Sequence, residues 1–75
     1  MNDTAHLSCA FPDSALGVAD RLGDMARAEG LAAWTSPRGP GEWEIRFVGE
    51  AKRLRGFAIR LGFTNVDDAI SFPQV

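Results

Sequence analysis

The sequence predicts an α+β domain whose elements run β-α-β-β-α-β. Three observations carry this. Segments 5–11 and 42–48 alternate apolar and polar residues, the period of a half-buried strand. Segments 14–29 and 50–61 carry apolar residues at helical spacing. The cluster Pro37-Arg38-Gly39-Pro40-Gly41 reads as a turn joining two strand-like segments into a hairpin.

In the first strand Leu7, Cys9 and Phe11 share one face, and His6, Ser8 and Ala10 share the other. Pro12 ends it, and Asp13 or Ser14 can cap the helix that follows. That helix, 14–29, has a stripe of Ala15, Val18, Ala19, Leu22, Met25 and Ala26, with Asp13, Asp20, Asp24 and Arg27 opposite. Gly30 stands where a left-handed C-terminal residue is wanted. Residues 31–36 read as a second strand of open parity, because Leu31 and Trp34 point to opposite faces. In the third, Trp43, Ile45 and Phe47 alternate with Glu42, Glu44 and Arg46. The second helix, 50–61, turns Ala51, Leu54, Phe57, Ala58 and Leu61 inward and stops at Gly62. Residues 65–72 can form a last short strand, with Val66, Ile70 and Phe72 on one side. The expected architecture is a single domain over residues 1–75. It is a four-stranded antiparallel sheet with both helices on one face and the other face open. Phe47 should lie between the sheet and the helices. The alternative is a βαββα core with a disordered tail.

A chain of 75 residues has room for one domain. With 45% hydrophobic and 24% charged residues it can offset its chain entropy, so a folded state is expected. The net charge of −2 argues against a general nucleic-acid binder, which needs many Lys and Arg contacts to phosphate. Cys9 is the one cysteine, which leaves no disulfide framework and favours a reducing, cytoplasmic setting. Met1 to Ala10 lacks the basic and apolar regions of a signal peptide. No apolar run approaches the roughly 20 residues that span a bilayer.

The residues that carry chemistry elsewhere are badly placed for it here. His6 and Cys9 point to opposite faces of a strand, so they cannot share a metal or form a nucleophilic pair. Glu42 and Glu44 lie on a solvated face beside Arg46, and Asp67-Asp68 is the only other close carboxylate pair. The glycines form neither a GxGxxG nor a GxxxxGK[ST] loop. No catalysis, cofactor or metal is expected. What stands out is charge. The second helix is basic, with Lys52, Arg53, Arg55 and Arg60, and Ile59 falls among them. The first is acidic, with Asp13, Asp20, Asp24 and Glu29 against Arg21 and Arg27. Trp34 is a large aromatic that can face outward, and Arg38 sits near the hairpin tip with no packing duty. The candidate partner-binding residues are therefore Asp13, Asp20, Asp24, Glu29, Trp34, Arg38, Arg53, Ile59 and Arg60.

The element order resembles the ferredoxin-like superfold, which hosts many functions. Phe11-Pro12-Asp13 stands where heavy-metal-associated domains carry CxxC. His6, Ser8, Glu44 and Arg46 stand where RNA-recognition motifs carry aromatic residues. The Gly-Arg anion loop of acylphosphatases is missing. In size and layout the chain resembles the small phage-encoded anti-CRISPR proteins of this fold, and it is similar in layout to bacterial ribonuclease E inhibitors. The resemblance implies a small inhibitor, monomeric or homodimeric. It would dock on a larger protein or ribonucleoprotein, such as a CRISPR effector subunit, and sterically block target DNA without itself binding nucleic acid. The alternative is a bacterial regulatory module, either ribonuclease-inhibitor-like or a ligand-sensing dimer.

Overall fold

The computed structural model describes residues 3–62 and Ile70–Ser71. Strands β1 (Thr4–Pro12), β2 (Ala32–Gly39) and β3 (Glu42–Glu50) form an antiparallel sheet with β3 between the other two. Helix α1 (Leu16–Ala28) is entered through a 3-10 turn at Asp13–Ala15, and helix α2 is Ala51–Arg60. Both helices bury their apolar residues against one face of the sheet. The fold is therefore α+β, with two helices on a three-stranded antiparallel sheet. Ile70 and Ser71 pair antiparallel with Leu7 and His6 along the other side of β1. The remainder of the expected last strand, 65–72, lies outside the described residues.

Alternation in β1 and β3 sets the inner face as the pattern predicts. The register aligns Leu7 with Phe47, Cys9 with Ile45 and Phe11 with Trp43, so these pairs share the helix side. Leu7, Phe47, Leu54 and Phe57 are the largest fully buried side chains. Phe47 meets Phe57 of α2 edge to face, with ring centroids 5.2 Å apart and planes at 60°. The stripe of α2 also matches its pattern: Leu54, Phe57 and Ala58 are buried, and Ala51 and Leu61 pack at the margin.

Helix α1 keeps Ala19, Leu22 and Ala26 of the expected stripe against the core but is rotated away from Val18 and Met25. Its buried residues are Ala19, Gly23 and Ala26, whereas Val18 and Met25 are 58% and 50% exposed. The cause is steric. Small residues let the helix axis approach the sheet closely, and the larger apolar residues are turned to the flank. Neither Asp13 nor Ser14 caps the helix through its side chain. Its C-terminus is closed as the sequence implies. Gly30 adopts φ +83, its N–H donates to the Arg27 carbonyl, and the Leu31 N–H donates to the Ala26 carbonyl.

Strand β2 is longer than expected. It runs through Pro37 to Gly39, and only Pro40 and Gly41 form the turn. Proline is tolerated because β2 is an edge. Ala33, Thr35 and Pro37 direct their backbone away from β3, so the missing proline N–H interrupts no ladder bond. The register shifts by one residue between Pro37 and Gly39, which makes Arg38 the extra residue of a bulge.

Candidate functional site

The sheet and helices leave an apolar groove on the helix side. Its floor is Cys9 and Phe11 of β1 with Ile45 and Phe47 of β3, its wall is Val18 and Leu22 of α1, and Leu61 closes one end. The cavity volume is about 160 Å³. Small-molecule sites usually run to about 300–1,000 Å³. A void of about 150 Å³ accepts a benzene-sized group. The groove therefore suits one apolar side chain. Val18 lines it, and Met25, seven residues on, is exposed on the same flank of α1. The half-buried Cys9 contributes a thiol, which burial pushes above its ordinary pKa, so it stays protonated and unreactive at neutral pH.

The candidate residues fall into separate groups. Glu29, Arg53 and Arg60 come together and tie α2 to the end of α1. Arg60 donates to the Glu29 carboxylate, and Arg53 donates to the Glu29 carbonyl at 3.3 Å. Asp24 forms an ion pair with Arg27 at 2.8 Å on the exposed face of α1. Asp13 accepts a hydrogen bond from the Trp43 indole Nε1, which fixes the chain at the entry to α1. Asp20 is exposed and borders a second cleft, between α1 and the edge of β2.

Trp34 settles the parity of β2. It aligns with Arg46 on the face opposite the helices and is 47% exposed. Around it on that face lie Ser8 and the Glu44–Arg46 ion pair, at 3.1 Å. Arg38 is exposed at the bulge, and Ile59 is 56% exposed on the outer side of α2. His6 lies one residue out of phase with the buried Leu7, on the face away from Cys9. Among the described residues no cluster of His, Cys, Asp and Glu could hold a metal, and no helix is long and apolar enough to cross a membrane.

Sequence reasoning missed the groove and the exposure of Val18 and Met25. The signal was present in the small residues Ala19, Gly23 and Ala26, spaced four and three apart on one side of α1. Together these features describe a small α+β protein with a side-chain-sized apolar groove beside α1. No protein-family model, curated protein or solved structure matches the chain.

Proposed function

We propose that this chain is a non-enzymatic protein-binding module that docks the Val18–Met25 flank of α1, with the adjoining groove, on a larger protein or ribonucleoprotein. The observation that carries the reading is the groove of about 160 Å³, the size of one apolar anchor, bordered by an exposed Val18. Interfaces concentrate their binding energy where one side chain fills such a desolvated pocket. The net charge of −2 favours a partner surface that is basic, as a nucleic-acid machine must be. The partner class is a CRISPR effector subunit whose target-DNA channel the protein obstructs, in the manner of a phage-encoded anti-CRISPR inhibitor acting in the cytoplasm. The fold is ferredoxin-like, with a fourth strand, β4 (Ile70–Ser71), ending the order β2-β3-β1-β4. The short pairing of Ile70–Ser71 with β1 supports this.

The experiment is a gel-shift assay of target DNA by purified CRISPR effector complexes, with and without the protein. The reading expects loss of the shifted band, its recovery with Val18→Asp/Met25→Asp, and a fold unchanged by either substitution. Inhibition that survives these substitutions would move the docking face elsewhere. Salt-sensitive micromolar binding of DNA or RNA by the isolated protein would replace the inhibitor with a direct binder acting through the basic α2.

A further inference from the structure

We infer that the free edge of β2 is a self-association surface, on which a second copy of this chain pairs antiparallel about a two-fold axis at Thr35. The Asp13 N–H donates to the Gly41 carbonyl, and the Ala51 N–H donates to the Asp3 carbonyl. Both bonds continue a ladder in which odd-numbered residues of β3 bond β1. Even-numbered residues of β3 must then bond β2, through Ala32, Trp34 and Ser36. Ala33, Thr35 and Pro37 point their backbone outward.

Those three residues would offer three carbonyls and two N–H groups, since proline has none. The count is evened from within the chain. Arg27 of α1 donates to the Ala33 carbonyl at 2.8 Å. Two donors and two acceptors remain, with no partner among the described residues. A two-fold axis at Thr35 pairs Thr35 with its own copy and Ala33 with the second copy's Pro37. Each Thr35 N–H then reaches a Thr35 carbonyl, and each Ala33 N–H reaches a Pro37 carbonyl. The one acceptor that proline would orphan is the one Arg27 already fills. An axis at Trp34 would direct a second donor, the Thr35 N–H, to that carbonyl, and an axis at Ser36 would set the Thr35 carbonyl against Pro37, which has no N–H to give, so the register is specific.

Side chains agree with the backbone. On the open face the axis sets the two Trp34 rings diagonally across the seam, at the roughly 7–8 Å spacing that aromatic side chains bridge. This covers the largest exposed aromatic of the described residues. On the helix face the two Thr35 side chains stand opposite each other. There a cleft of about 310 Å³, bordered by Asp20, Gly23, Arg27 and Thr35, opens on this edge. Helix α1 runs antiparallel to β2, so Asp20 and Arg27 lie toward opposite ends of it. The axis carries Arg27 of one copy toward the second copy's Asp20, and a patch that meets itself meets opposite charge.

Sedimentation equilibrium of the full chain from micromolar to millimolar concentration tests this. The expected mass is twice the 8.1 kDa protomer. Thr35→Pro removes an outward N–H and no bond to β3, and it should return the mass to one protomer with unchanged circular dichroism. In a Cys9→Ser background, Thr35→Cys should form an intermolecular disulfide under mild oxidation, and Arg38→Cys should not. A wild-type protomer mass at every concentration overturns the inference, as does a dimer that persists in folded Thr35→Pro. Should that variant fail to fold, equal cross-linking at Thr35→Cys and Arg38→Cys overturns it instead. This seam lies on the β2 side of α1, away from the Val18–Met25 flank, so loss of the dimer and loss of inhibition are separable.

Discussion

Truncating Phe47 tests the core most directly. Its side chain is 1% exposed and meets the Phe57 ring at 5.2 Å. A buried phenylalanine cut to alanine costs about 3–5 kcal/mol, through lost transfer energy and the cavity left behind. The whole stability of a 75-residue domain, at about 0.05–0.15 kcal/mol per residue, is about 4–11 kcal/mol. An unfolding entropy of about 2.1 cal/mol/K per residue converts the loss to a fall of about 20–30 °C in Tm. Phe47→Ala should thus be largely unfolded at 37 °C unless the parent sits at the top of that range. Thermal and urea unfolding followed by circular dichroism measure it. Met25→Ala supplies the contrast, because Met25 is 50% exposed and its loss should stay within about 0.5 kcal/mol. A Phe47→Ala protein melting within a few degrees of the parent would take Phe47 out of the core. A Met25→Ala protein that lost as much as Phe47→Ala would return α1 to the phase its large residues suggest.

Further perturbations follow from the backbone and from the thiol. Gly17 and Gly56 lie within helices with open space where a Cβ would project, so Gly17→Ala and Gly56→Ala should each add about 0.5–1 kcal/mol, read as a higher urea midpoint. Gly49→Ala should do the opposite. A Cβ there collides with the buried Leu31 side chain, which must shift within the core, and overpacking of this kind costs about 1–3 kcal/mol. Cys9 gives a pH dependence. Its folded pKa is raised by burial, so the unfolded chain releases the thiol proton first. The stability is fully present below the unfolded value of about 8.5 and is lost as pH rises through the folded value. Parallel stability curves for wild type and Cys9→Ala from neutral to strongly alkaline pH would place the thiol in solvent.

Much of the fold was legible because period-two alternation is read twice in this chain, in β1 and β3, and the register then pairs like with like. The basic and acidic clusters were legible as composition, but their use was not. Glu29 lies far in sequence from Arg53 and Arg60, and only folding shows that Arg60 pairs with its carboxylate and Arg53 donates to its carbonyl. Proline misled the reading of β2, since a Pro-Gly cluster signals a turn and nothing in the sequence says that Pro37 stands on an edge.

The misread phase of α1 and the candidate site have one physical cause. Hydrophobic patterning weights large side chains, and Val18, Leu22 and Met25 outweigh Ala19, Gly23 and Ala26 in any such reading. Close approach to a sheet rewards the opposite choice, because packing is limited by the distance between backbones. The helix seats its smallest side, and Gly23 is buried with no side chain of its own. Val18 and Met25 are then left on the flank, where Val18 helps to wall a groove instead of filling it. A surface helix that kept Val18 and Met25 only for the core would have been rotated to bury them. That they stand half or more exposed, with Val18 lining a space sized for one further side chain, is what directs the functional reading to this flank and not to the charged faces that dominate the sequence.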